Sequence, residues 1–119
     1  ANPMSMNASL DVLPDGEGRR VAILGDMGEL GENEIALHEE VGTHAAQCGI
    51  DVCICVGALS VHMAEAARKA DPEFKVIYEK SRESLLEHLG DLIQEGDTIL
   101  VKASHFMQFE EVVKALEEM

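Results

Sequence analysis
Arg20-Val21-Ala22-Ile23-Leu24-Gly25 runs without a break into Asp26-Met27-Gly28-Glu29-Leu30-Gly31. The first half has the length and continuity of a strand buried on both faces. The second half is a turn punctuated by glycines. Three more runs share the apolar pattern: Val52 to Gly57 (VCICVG), Lys75 to Tyr78 (KVIY) and Thr98 to Lys102 (TILVK). Strands that are apolar on both faces belong to a parallel sheet, whose crossover helices cover both sides.

Helical patterns fill the intervals. Asn2 is placed as an N-cap with Pro3 at the first helical position, and Met6, Leu10 and Leu13 then share a face. Asn33 caps a helix that turns Leu37, Val41, Ala45 and Cys48 inward. Ser60 caps one of small residues through about Ala70. Ser81 caps a fourth, with Leu85, Leu89, Leu92 and Ile93 inward and Gly96 as the stop. A last helix buries Phe109, Val112, Val113 and Leu116. The order α-β-α-β-α-β-α-β-α predicts one α/β domain over residues 1–119, with a three-layer αβα arrangement around an open, mainly parallel sheet. In such sheets ligands bind beyond the carboxyl ends of the strands. The loops after Gly25, Gly57, Tyr78 and Lys102 are therefore the informative ones.

Composition narrows the function. The 119 residues include 23 acidic and nine basic side chains, for a net charge of −14. Such a surface repels the phosphates of DNA, RNA and anionic membranes. Hydrophobic residues make up 46%, too many for a disordered acidic tail. With no Trp, one Tyr and three Phe there is no stacking platform for bases. No apolar run approaches the roughly 18 residues of a membrane span. Three cysteines, two of them (Cys53 and Cys55) alternating in an apolar run, fit buried thiols in a reducing cytoplasm. The chain begins at Ala1 with neither Met nor a signal segment, so it is expected to be a piece of a longer cytoplasmic protein.

Few motifs carry chemistry. Gly25, Gly28 and Gly31 are spaced GxxGxxG rather than GxGxxG, and Asp26 and Glu29 stand where a pyrophosphate needs bare amides. An NAD-linked enzyme is thus a distant reading, and a glycine loop with solvated acids is the plain one. No GxxxxGK[ST] occurs, so the chain has no P-loop. His38-Glu39 opens like HExxH, but Gly42 occupies the place of the second His, and no metal site is read. His62 and His88 are placed on ordinary helix surfaces. Lys102-Ala103-Ser104-His105-Phe106-Met107 sets an ammonium, a hydroxyl and an imidazole at a strand's carboxyl end, where α/β sheets support chemistry. A Lys paired with surplus acids and a Ser capping the last helix explain the same residues. No GxSxG elbow surrounds Ser104, which argues against a serine nucleophile.

Three segments together resemble one family. Ala1-Asn2-Pro3-Met4-Ser5-Met6 is similar to the end of the DxYNANPxSM motif of the MurF-type Mur ligases. Leu24-Gly25-Asp26-Met27-Gly28-Glu29-Leu30-Gly31-Glu32, with His38 and Gly42, resembles that family's LGDMxELGE…H…G stretch. Val101 to Glu110 (VKASHFMQFE) resembles its VKGSRxMxxE stretch. The resemblance implies the carboxy-terminal, Rossmann-like domain of a three-domain enzyme, with strand order 1-4-2-3 and an antiparallel strand contributed from before the NANP motif. It implies an ATP-dependent ligase that adds D-Ala-D-Ala to UDP-N-acetylmuramoyl-tripeptide in peptidoglycan synthesis. ATP phosphorylates the peptide carboxylate, and the dipeptide amine attacks the acyl phosphate. ATP and Mg²⁺ are implied to sit mainly in the central domain, and the fragment alone is expected to be inactive and monomeric.

Within that frame the resemblance makes Lys102, Ser104, His105, Asp26 and Glu29 candidates for holding the dipeptide. Lys102 and Ser104, with His105 assisting, would bind its carboxylate or steady developing charge. Asp26 and Glu29 would hold its ammonium or orient the loop. Asn2 is a nucleotide contact or a helix cap, the cap being favoured. His38 braces the glycine loop rather than taking part in chemistry. Where the family has Gly-Ser-Arg, this chain has Ala103-Ser104-His105, an imidazole in place of a bidentate guanidinium. The competing class is a stand-alone flavodoxin-like binding or regulatory module, which the same βα alternation supports. Asp26 and Glu29 lack the paired acids of a receiver domain.

Overall fold
A computed structural model describes residues 2–13, 18–28, 30–104 and 107–118. Helix α1 (Pro3–Asp11) leads to β1 (Arg20–Gly25), then α2 (Glu34–Gln47), β2 (Val52–Val56), α3 (Ser60–Ala70), β3 (Lys75–Glu79), α4 (Arg82–Leu92), β4 (Thr98–Lys102) and α5 (Glu110–Glu117). The four strands form one parallel sheet in the order β3-β2-β1-β4. The expected order 1-4-2-3 is thereby corrected: β1, not β4, lies beside β2. The reason lies in burial. β1 and β2 are apolar nearly throughout and almost wholly buried, so they take the centre. β3 and β4 begin or end in Lys, are only half-covered, and take the edges.

The order also sorts the helices. The chain steps from β1 outward to β2 and β3, then returns past β1 to β4. Right-handed crossovers therefore put the earlier and later helices on opposite faces. Met6, Leu10, Val41, Ala45, Met63 and Ala64 from α1, α2 and α3 pack on Ala22, Leu24, Cys53 and Cys55. Leu85, Leu89, Phe109 and Val112 from the α4 and α5 side pack on Val21, Ile23, Val52, Ile54 and Val56. Gly42 lets α2 and α3 touch: a Cβ there would lie 2.1 Å from the Met63 carbonyl oxygen.

The caps follow the sequence in part. Asn2 Oδ1 accepts from the Ser5 amide at 2.8 Å, and Ser81 Oγ accepts from the Ser84 amide at 3.1 Å. Asn33 precedes α2 but makes no side-chain cap, because a 3-10 turn over Gly31–Asn33 runs directly into the helix. Ser60 lies inside α3, and Leu59 takes the cap position. α4 stops at Leu92, short of Gly96, which instead turns the chain into β4 with φ of 92°. Val113, expected inside, is 40% exposed because α5 rests on the sheet through Val112 and Phe109.

At the amino ends of the strands, polar bonds fix the turns. Arg19 donates to both Asp97 oxygens at 3.1 and 2.8 Å and to the Leu92 carbonyl at 3.0 Å. That guanidinium holds the Asp97 carboxyl below its ordinary range. The Arg20 amide donates to Asp51 at 2.8 Å.

Candidate functional site
The carboxyl ends of the strands gather the polar residues buried without an ion pair. Asp26, just beyond β1, is only 7% exposed. Its Oδ1 accepts from the Ser60 amide (2.8 Å) and the Ser60 hydroxyl (2.7 Å), and its Oδ2 from the Leu59 amide (3.2 Å). The carboxylate thus caps α3 from a strand 33 residues earlier, satisfying amides that a helix start leaves open. Its negative charge also suits the positive end of the helix dipole. Gly57 makes room for it: φ is +120°, and a Cβ would sit 2.5 Å from the carboxylate. The Tyr78 hydroxyl donates to the Gly57 carbonyl at 2.8 Å and steadies the same turn.

The glycine loop is held from two further directions. The Met27 amide donates to His38 Nε2 at 2.9 Å, while His38 Nδ1 lies 2.6 Å from the Glu34 carbonyl. Nε2 accepts, so the proton sits on Nδ1 and the imidazole is neutral. This fully buried ring is the brace anticipated for the loop. The Gly28 amide donates to Ser104 Oγ at 2.6 Å, and the Ser104 amide donates to the Asp26 carbonyl at 3.1 Å. Ser104 therefore pins the loop after β1 to the loop after β4.

Of the residues anticipated from the sequence, the fold brings Asp26, Ser104 and Lys102 together at neighbouring strand ends. Lys102 closes β4 and pairs in register with Leu24, two residues before Asp26. It is half-buried, beside a surface cleft also lined by Ser104, Phe109 and Glu110. Asn2 is apart from them, engaged in its cap. Glu29 and His105 lie outside the described residues.

A second cleft, of about 370 Å³, opens above the ends of β1, β2 and β3. Asp26 and Gly57 line it together with Lys80, Arg82, Glu83 and Gln108. Arg82 Nη1 donates to the Gln108 side chain (3.0 Å) and carbonyl (3.4 Å), and Gln108 adopts a φ of 52°. Arg82 Nη2 donates to Glu83 at 2.9 Å, and Arg82 Nε is buried without a partner among the described residues. Glu83 is held below the usual carboxylate range by its own backbone amide and by Arg82. Sequence reasoning missed Lys80 and Arg82. The available signal was two cations directly after a strand in a chain with only nine.

Other reactive groups are accounted for by packing. Cys53 and Cys55 are buried free thiols with sulfurs 3.6 Å apart, and their contact together with burial pushes the Cys55 thiol well up. His88 is exposed and pairs with Glu79 at 3.1 Å, and His44 pairs with Asp11 at 2.7 Å. Among the described residues, no group of three or more His, Cys, Asp or Glu is arranged to hold a metal ion. No helix there is long and apolar enough to cross a membrane.

The chain is 36% identical over 120 residues to a UDP-N-acetylmuramoyl-tripeptide–D-alanyl-D-alanine ligase of Bacillus subtilis and 40% identical to the Escherichia coli ligase of that name. Each alignment covers 99% of this chain but only 26% and 25% of the relative, so the chain spans about a quarter of their length. A crystal structure of MurF from Acinetobacter baumannii superposes with a TM-score of 0.86 at 30% identity, covering 100% of this chain and 26% of that one. MurF ligase from Thermotoga maritima, solved in complex with ADP, gives 0.76 at 26% identity, covering 99% and 26%. Residues 1–105 match the family described as Mur ligase, glutamate ligase domain. With the matched residues running from the α1 cap to the loop after β4, the chain belongs to that family.

Proposed function
We propose that this chain is the carboxy-terminal domain of a three-domain, ATP-dependent ligase that adds D-Ala-D-Ala to UDP-N-acetylmuramoyl-tripeptide. The ligase acts in the cytoplasm as a monomer, in peptidoglycan synthesis. The reading is supported by the similarity over nearly the whole chain and by one geometric observation. Ser104 pins together the two loops that carry the resemblance, so that Lys102 stands at their junction. The chain has no P-loop and, among the described residues, no metal-ligand cluster, so ATP and Mg²⁺ are assigned mainly to the central domain.

The domain's contribution is positioning. An amine held beside an acyl phosphate gains most of its advantage from proximity. Lys102 supplies a positive charge where the attacked carbonyl and the departing phosphate develop negative charge. Ser104 fixes the loop geometry and keeps its own hydroxyl proton available to donate. Asp26 orients the loop through its cap on α3. His105 and Glu29 join the dipeptide site in this reading, and Asn2 borders the nucleotide. The test is phosphate release by the full-length protein given ATP, UDP-tripeptide and D-Ala-D-Ala. Lys102→Ala is expected to lower kcat by about ten- to a hundredfold. An unchanged kcat and an unchanged dipeptide KM would remove Lys102 from the site.

A further inference from the structure
Three consecutive residues of the loop after β1 are tied to three different elements. The Asp26 carboxylate bonds the start of α3, the Met27 amide bonds His38 on α2, and the Gly28 amide bonds Ser104 after β4. His38 is the middle tie, and imidazole is the side chain whose charge ordinarily changes near neutral pH. Its ring is fully buried, and so is Met27.

The tie exists in one protonation state. Nε2 accepts from the Met27 amide at 2.9 Å and Nδ1 lies 2.6 Å from the Glu34 carbonyl, so the neutral ring protonated on Nδ1 satisfies both. A second proton turns Nε2 into a donor facing another donor and leaves a buried charge. Among the described residues the surroundings supply no counter-ion. In the loop, Asp26 is engaged by α3. On α2, Glu34 meets the ring through its carbonyl, while Glu39 and Glu40 are exposed, as is Glu32 before the helix. α1 brings Asp11, which pairs with His44, and β2 brings the thiols of Cys53 and Cys55. On α3, His62 is half-buried, and Glu65, Arg68 and Lys69 are exposed. The ring bonds none of these side chains.

We propose that His38 is a positioning residue for the ligation: its neutral ring holds the Met27 amide so that the loop meets Ser104, and a second proton frees the loop. The assignment rests on the ligase reading. Once the Met27 amide is released, the Gly28 amide, one residue on, is free to leave Ser104 Oγ. Ser104 is what joins the loop to the strand end that carries Lys102. An amine beside an acyl phosphate is sensitive to such movement, since a misplacement of about 1 Å costs up to about a hundredfold in rate. The buried ring meets no substrate and acts through the loop.

The test is kcat of the full-length enzyme from about pH 8 to about pH 5.5, read together with amide exchange at Met27 and Gly28. His38→Phe, which accepts no hydrogen bond from the loop, should lower kcat about ten- to a hundredfold. His38→Gln sets an oxygen near the place of Nε2 and does not titrate, so it should recover most of that loss near pH 8. The dipeptide's own amine must also lose a proton to attack. The readout is therefore the ratio of wild type to His38→Gln, which should fall about tenfold on acidification. Protection of the Met27 and Gly28 amides should fall with it in wild type and hold in His38→Gln, with global unfolding in urea unchanged over the range. A constant ratio would overturn the assignment, as would wild-type protection that does not change with pH. An activity loss that tracks global unfolding would make His38 merely structural and overturn it equally. The wild-type exchange measurement needs no variant, so it decides the matter even if both variants fail to fold. Wild-type protein without ligase activity on D-Ala-D-Ala would overturn the ligase reading itself, while the exchange measurement would still decide the His38 tie.

Discussion

Asp26 and Lys102 stand at the carboxyl ends of neighbouring strands, offset by two residues in register. The acid accepts three hydrogen bonds from the start of α3 and is almost fully buried. The base is half-buried and has no ion pair among the described residues. The same strand ends thus carry a carboxylate consumed by the fold and an ammonium left available. Position at a functional edge does not by itself assign a residue to function; its unsatisfied bonding capacity does.

The sharpest way to break the contrast is Asp26→Ala. Leu59 and Ser60 would then bury donors with no acceptor, and the fold should lose about 3 kcal/mol, read from urea unfolding. A loss under about 0.5 kcal/mol would mean that water replaces the carboxylate freely and that Asp26 is open to a ligand. Gly57→Ala attacks the same arrangement from beneath. It places a methyl 2.5 Å from the carboxylate at a φ of +120°, and about 2 kcal/mol should go. Ser104→Ala removes the acceptor of the Gly28 amide, costing about 1 kcal/mol while loosening the pin between the two loops.

These expectations also mark what was legible beforehand. The positions of β1, β2 and β4 followed from continuous apolar runs, since burial on both faces demands them. Asn2 and Ser81 were legible as caps because each bonds an amide three residues on. The cap on α3 was not. Its acceptor lies 33 residues upstream, and only the sheet brings it near. The place of β1 beside β2 was hidden for the same reason, because strand order is decided by which strands need two covered faces. Lys80 and Arg82 were passed over because a charge just after a strand or in a helix's first turn reads as solvated until a cleft is seen beside it.

The other end of the sheet offers a smaller test. Arg19 holds the Asp97 carboxyl below its ordinary value of 3.8. A depressed acid contributes stability that is fully present above its unfolded value and is lost as pH falls through the folded one. Unfolding midpoints measured down to about pH 3 should therefore fall on the acid side. In Asp97→Asn that part of the fall should be absent, with a lower plateau near neutrality. An unaltered acid limb would mean that the Arg19 pair is screened by solvent.

The smallest expected effect on stability is also the most discriminating. Lys102→Ala removes an ammonium that satisfies no partner among the described residues, so the unfolding free energy should change by no more than about 0.5 kcal/mol. Stability retained alongside a lowered kcat in the full-length ligase would place Lys102 in the chemistry. A clear loss of stability would instead mean that Lys102 is bonded in solution, so that both residues serve the fold and the contrast with Asp26 disappears. Only a substitution that leaves the fold intact separates those cases, because any variant that disturbs the pinned loops lowers activity whether or not its side chain meets substrate.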